Sequence, residues 1–217
     1  MRRLSTLAGI AVLALTGTQA QAAGTAANTP VTNQASASYS VGGTGVTEDS
    51  NVVTFNVDEL IDVVVDAVGT ATNVEANEDD AVIAFDIRND GNGPELFDLI
   101  VDAIRAGDNF DPAVDTTLDI FLDDGDGAFE PGGGPGADTL FNPAADQLSL
   151  LADETRRIYV RGDIPAVRSD GTTPLANGDL GTVNVQADTA TAALAGATAG
   201  TTEAGAGEGG VNAVVGT

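Results

Sequence analysis

TTLDIFLDDGDGAFEPGGGPGADTLF, residues 116–141, opens as a strand and closes as one. Leu118, Ile120 and Leu122 alternate with Thr117, Asp119 and Phe121, the period of a half-buried β-strand. The chain then enters a glycine-rich acidic loop carrying Asp123, Asp124, Asp126 and Glu130, and leaves it through Thr139-Leu140-Phe141. From Ala106 to Thr155 there are twelve acidic residues and no basic one. Hard cations take oxygen ligands, and glycine lets a loop close tightly around them, so this loop is the candidate calcium site. Its candidate ligands are Asp119, Asp123, Asp124, Asp126 and Glu130. The EF-hand register fails: with Gly127 at loop position six, position one is Leu122 and position twelve is Gly133. A solvated acidic turn is the competing reading.

The same period-two pattern recurs on both sides. Val31, Ala35, Ala37, Tyr39 and Val41 share one face of a segment whose other face is Thr32, Gln34, Ser36, Ser38 and Ser40. Gly42-Gly43-Thr44-Gly45 turns the chain, and Val53, Phe55 and Val57 return in phase, which predicts a hairpin. Ile61, Val63, Val65 and Ala67 predict a third strand. Ala81 to Ile87 and Phe97 to Ala103 predict two more around the turn Asn89-Asp90-Gly91-Asn92-Gly93-Pro94. Leu96, Ile100 and Ile104 also fit a helical spacing; strand is the preferred reading. Further strands are expected around Ile158 and Val160, and around Val183 and Val185. Some eight strands between turns imply an all-β, antiparallel sandwich over residues 31–190, with 31–67 as its N-terminal strands. Residues 191–217, rich in Ala, Gly and Thr, read as a flexible tail or linker.

Residues 1–22 read as a cleaved export signal. Arg2 and Arg3 form a basic start, Leu7 to Leu15 a short apolar core, and Ala20-Gln21-Ala22 a small-x-small cleavage pattern. That apolar core is too short to span a bilayer, so no membrane insertion is expected after cleavage. The chain is expected at the cell surface, outside the cell or in the periplasm. Beyond residue 22 it carries six arginines and no lysine against 33 acidic residues, a formal charge of −27. Binding to nucleic acid is excluded by this balance, because phosphates are neutralised by clustered Lys or Arg. Self-repulsion at this charge calls for screening by salt or for bound cations. Cysteine is absent, so no disulfide contributes, and aromatic residues are few.

Without His, Cys or Lys, the nucleophile–base dyads and triads and the usual zinc sites fall away. Carboxylate pairs for glycoside hydrolysis are left, and acids are too abundant here to single out a pair. The expectation is therefore a chain that is not an enzyme. Arg161-Gly162-Asp163 spells an integrin-ligand tripeptide, but its neighbours Ile158-Tyr159-Val160 and Ile164-Pro165 make it the close of a strand.

NQASASYSVGGTG with SNVVTFNVDELIDVVV, FDIRNDGNGPELFDL, DNFDP, IFLDDGDGAFEPG with DTLF, LADETRRIYVRGDIP and GAGEGGVNAVVGT follow one another along the chain. In that order they resemble secreted bacterial surface proteins with Ig-like conserved-repeat domains, a family of unknown function. The resemblance implies an Ig-like β-sandwich at or outside the cell surface, and supplies no catalytic residue. Family members often carry Asp-x-Asn/Asp-x-Asp-Gly at the acidic loop, from which this chain departs. Two roles follow from these readings. One is a structural or adhesive module that self-associates through edge strands or joins other envelope proteins. The other is an exported module that binds calcium or a small ligand.

Overall fold

The computed structural model describes residues 24–112 and 118–216; the expected signal segment lies outside them. The fold is all-β, with antiparallel sheets packed as a sandwich. One layer is a five-stranded sheet of β6 (Val63–Ala67), β7 (Ala81–Asn89), β9 (Asp119–Leu122), β10 (Thr139–Phe141) and β12 (Thr155–Gly162), in the order β10-β9-β12-β7-β6. Facing it are β8 (Glu95–Asp102), β11 (Leu148–Leu150) and β13 (Asn184–Thr189), in the order β11-β8-β13. Period two puts Phe85 and Ile87 of β7, Ile158 and Val160 of β12, and Ile120 of β9 into the core. Phe97, Leu99, Leu148, Leu150 and Val185 meet them from the second layer. Leu96 and Ile100 are exposed while Phe97 and Leu99 are buried, the alternation of a strand, which settles β8 against the helical spacing.

The segment read as one strand from Ile61 to Ala67 serves two sheets. β5 (Glu59–Ile61) ends where Asp62 interrupts it, and β6 joins the large sheet beyond. Asp62 marks the change: its carbonyl accepts from the Asp90 amide, and the Ile61 carbonyl accepts from Gly216.

β5 is completed by the segment expected to be a flexible tail. Residues 191–217 are instead ordered onto the body over their described length. β15 (Ala213–Val215) pairs in parallel with β5 and antiparallel with β14 (Thr202–Glu203). Leu194, 1% exposed on a single 3-10 turn, and Ala213, fully buried, belong to the core. Composition hid this, because small residues suffice where the backbone ladder and two apolar side chains provide the attachment. Glu59 adds to the clasp: its buried carboxylate accepts from the Glu208 amide at 2.7 Å. Burial pushes this carboxyl above its usual range; the Glu208 amide works against that, and the carboxylates of Glu95 and Glu208 add to it.

The turn between β7 and β8 is a second joint. Asn89 is fully buried, donates through Nδ2 to the carbonyls of Gly93 and Leu150, and accepts from the Gly91 amide. Asn92 donates to the carbonyls of Thr25 and Asp58 and accepts from the Leu60 amide. A Cβ on Gly91 would fall 2.3 Å from the Leu60 carbonyl oxygen, so only glycine fits between turn and strand.

The N-terminal hairpin forms as a two-part ribbon. β1 (Pro30–Asn33) pairs with β4 (Val53–Asn56), and β2 (Ser36–Val41) with β3 (Thr44–Asp49). Between the two registers one extra residue on the returning side makes a bulge, where Ser50 Oγ accepts from the Ala35 amide. None of these four strands pairs with the sandwich sheets.

Leu194→Ala is expected to cost about 2 to 5 kcal/mol, the range for truncating a buried leucine. Thermal unfolding reads this as a drop of roughly 4 to 20 °C, where a loose tail would give none. Glu59→Gln keeps an acceptor for the Glu208 amide and removes the charge. With its folded pKa raised, Glu59 contributes stability below its ordinary pKa of 4.5 and loses it as pH rises through the folded value. The variant is therefore expected to melt higher than the parent at neutral pH, the gap closing as pH falls below 4.5.

Candidate functional site

The acidic loop leaves β9 at the outer face of the five-stranded sheet and returns through β10. Its first carboxylate, Asp123, is buried. It accepts from the amides of Gly125 and Gly127 and from the Tyr159 hydroxyl at 3.3 Å. Asp124 accepts from the Asp126 amide, and Asp126 from the Ala128 amide. These are successive Asx turns, the local bonds that aspartate offers to a bending backbone. Positive φ at Gly125 (112°) and Gly127 (78°) is what lets the turns follow one another.

At the far end stands Asp138, 2% exposed, a residue not singled out in the sequence. Its two carboxylate oxygens accept from the Asp124 amide at 3.3 Å and the Glu130 amide at 2.8 Å. One buried carboxylate thus joins both limbs of the loop. Its only signal in the sequence is position, directly before the strand residues Thr139-Leu140-Phe141.

Phe129 folds the loop back onto the sheet. Its ring lies 5.3 Å from Phe121, edge to face, and 5.2 Å from Tyr159. Arg161 lies over the Phe121 ring, 5.0 Å from its centre. Burial, followed by the neighbouring Asp123 carboxylate, raises the Tyr159 phenol pKa. Arg157 lies opposite Asp86 across β12 and β7 and grips it with two bonds, 2.8 and 3.0 Å, which raises its own pKa.

Of the five candidate ligands, three come together. Asp123, Asp124 and Asp126 each offer a carboxylate oxygen within 4.8 Å of the others. Asp119 points along the sheet and pairs with Arg161. Glu130 is exposed, and its backbone amide serves Asp138. The grouped oxygens suit a hard cation chemically. They also already carry the loop's N–H donors, and the guanidinium of Arg157 lies beside Gly127. Arg161-Gly162-Asp163 is engaged in the sheet, with Arg161 paired to Asp119 and Asp80, and Asp163 accepting from the Asp80 amide.

A second concavity, about 710 Å³, lies between the loop 70–76 and residues 175–183. Ile83, Phe110, Leu118, Ile164 and Val183 make its walls apolar. Asp179 on its rim is held by Arg168 through two bonds of 2.7 and 2.8 Å. All six arginines among the described residues are paired with carboxylates. Comparison with protein-family models, with curated proteins and with solved structures gave no match.

Asp138→Ala removes an acceptor from two buried-side amides and is expected to cost about 2 to 4 kcal/mol. Chemical denaturation measures this, and exchange of the Asp124 and Glu130 amides should speed up together. A loss below about 0.5 kcal/mol, the range of ordinary surface changes, would show that the loop is held elsewhere.

Proposed function

We propose that this chain is an exported, non-catalytic structural or adhesive module of the cell surface. The observation that carries this reading is the N-terminal ribbon, which presents a row of large apolar side chains outside the sandwich core. Soluble proteins keep such surfaces small unless something covers them. The order of sequence phrases resembling secreted surface proteins with Ig-like repeats supports the same reading, as does a basic and apolar start of export type. Carboxylates near the acidic loop are occupied in holding backbone amides, a structural use of acid groups.

Fractionation of cells tests it. The chain is expected with the envelope or surface material, and Tyr39→Ser with Phe55→Ser should release it while leaving the melting temperature of the sandwich unchanged. Recovery as a free protein, indifferent to those substitutions, would overturn the proposal.

The cluster of Asp123, Asp124 and Asp126 favours a second reading, an exported calcium-binding module. An extracellular site of this kind binds at about 10⁻⁴ to 10⁻³ M. On that reading, about 10 mM Ca²⁺ stabilises the fold by roughly 1.4 to 2.7 kcal/mol, which is on the order of 3 to 10 °C. Mg²⁺ at equal ionic strength should do less, and Asp124→Asn with Asp126→Asn should abolish the difference. Equal effects of the two ions would leave the loop as a charged turn.

A further inference from the structure

Glu59 is 4% exposed, and the C-terminal segment supplies much of its cover. β15 runs beside it in parallel, with Ala213 opposite Glu59, and the Glu59 amide donates to the Asn212 carbonyl at 2.8 Å. The 3-10 turn Glu208–Gly210 closes over the end of the side chain, where the Glu208 amide donates to Oε2 at 2.7 Å. Gly207 and Gly93 stand so close to Glu59 that neither has room for a Cβ. The same stretch reaches the base of the N-terminal ribbon. Asn212 donates to the Asp58 carboxylate through its amide and its side chain, both at 3.3 Å, and Gly209 lies against the side chain of Asn28. Asn28 donates through its amide to the Val57 carbonyl and accepts from Asn56. Both limbs of the ribbon, the one entering β1 and the one leaving β4, thus meet on residues 207–212.

No cation answers Glu59. Every arginine ion pair among the described residues is made with another carboxylate, and the sequence after Arg168 contains neither Arg nor Lys. The charged groups that face Glu59 are acidic: Glu95 at the start of β8 and Glu208 on the turn above it. Gly93, Ala27 and Ala213 around it carry no charge. On its own stretch of chain, Asp58 is bonded to Asn212, while Asp62 faces Asp90, which Arg88 holds. Burying an unpaired charge is costly, whereas a neutral carboxyl that still accepts an amide bond is buried at little cost.

We infer that residues 202–216, the hairpin of β14 and β15, form an acid-locked strap: a proton on Glu59 fastens it over β5 and the ribbon base, and loss of that proton loosens it. The device stands whether the chain serves as a surface module or binds calcium. Leu194, buried in the core, pins the segment upstream, so the strap lifts without the sandwich opening. Lifting removes Gly207 and Ala213 from Glu59 and returns its carboxyl to water. Burial raises this carboxyl above its ordinary 4.5, with Glu95 and Glu208 adding to the effect and the Glu208 amide opposing it. The strap is therefore held most firmly below pH 4.5 and loosens as pH rises through the docked value. Asp62, half-buried against Gly216 at the other end of β15, is raised by burial and by Asp90 and acts in the same sense.

Amide exchange of the full chain tests this, followed between about pH 4 and pH 8 in about 1 M sodium chloride, which screens general repulsion. Each amide is read as protection relative to its unstructured rate, with the amides of β7 and β12 as the reference. In the parent, the Glu208 and Gly216 amides, which donate onto β5 and its carboxylate, are expected to lose protection as pH rises while the reference holds. The Asn28 amide at the ribbon base should follow them. Glu59→Gln should remove the larger part of that loss, and Glu59→Gln with Asp62→Asn the remainder. Glu203→Gln, an exposed change on the strap itself, should leave the loss as it is. Glu208→Gln, also exposed, should move the loss to lower pH, because one of the charges facing Glu59 is gone. Circular dichroism establishes that each variant is folded.

Strap amides that keep step with the sandwich at every pH overturn the inference, as does an equal loss in the parent and in Glu59→Gln. A loss that Glu203→Gln abolishes as well would assign the effect to the acidic surface as a whole and also overturns it. Should Glu59→Gln not fold, Glu208→Gln carries the test, and a transition that stays in place there contradicts the strap.

Discussion

The constraint on which this structure depends is an excess of carboxylate over cation: 33 acidic residues against eight arginines and no lysine in the whole chain. Ion pairing serves few of them. The fold uses many of its placed carboxylates as acceptors for backbone amides that the sheets leave over. Asp123 and Asp138 do this in the acidic loop, Asp146 at Asn142, and Glu154 at Leu151. Asp170 does it at Thr172 and Thr173, Asp108 at Thr182, and Glu59 at Glu208. A charged acceptor makes a stronger bond than a neutral one, and buried or half-buried amides require a partner. Loops in this chain are thus held by the residues that make it repel itself.

The arginines are placed where they do most for the layers. Arg157 on Asp86 and Arg161 on Asp119 bridge strands across the outer face of the large sheet, with the rings of Phe121, Phe129 and Tyr159 between them. The two guanidiniums and the Phe129 ring cover a face that would otherwise expose Phe121 and Tyr159. The acidic loop is anchored to that cover by Phe129 and by the bond from Tyr159 to Asp123. Its geometry follows from the sheet beneath it.

Much of the sandwich was legible in the sequence, because alternation is a local signal. β7 and β8 have the predicted faces, and the turn Asn89 to Pro94 lies where its chemistry put it. What that turn does was not legible: Asn89 and Asn92 reach partners up to 67 residues away. The same holds for the C-terminal segment, whose strand β15 pairs with β5 some 150 residues earlier, beyond any local pattern. At the loop, density of acids pointed to Asp123, Asp124 and Asp126, which the structure brings together, but could not separate Asp119, claimed by Arg161, from that cluster. Nor could it single out Asp138, since a carboxylate that closes a loop looks like its solvated neighbours until burial distinguishes it. In the ribbon the periodicity was right and its usual consequence was not: the apolar face is not turned into this chain's core.

Stability as a function of pH at high salt tests most directly whether carboxylates hold this fold by accepting amides. Amide and hydroxyl donors and arginine neighbours hold Asp170, Asp179 and Glu154 below their ordinary pKa values. Each therefore contributes stability above its unfolded pKa and loses it as pH falls through the folded one, whereas Glu59 and Asp62, raised by burial, act in the opposite sense. In about 1 M sodium chloride, with repulsion screened, the melting temperature is predicted to fall as pH drops from 4.5, the ordinary value for Glu154, to about pH 2. A melting temperature that holds or rises over that range would show that the carboxylates only burden the fold, and would contradict the account.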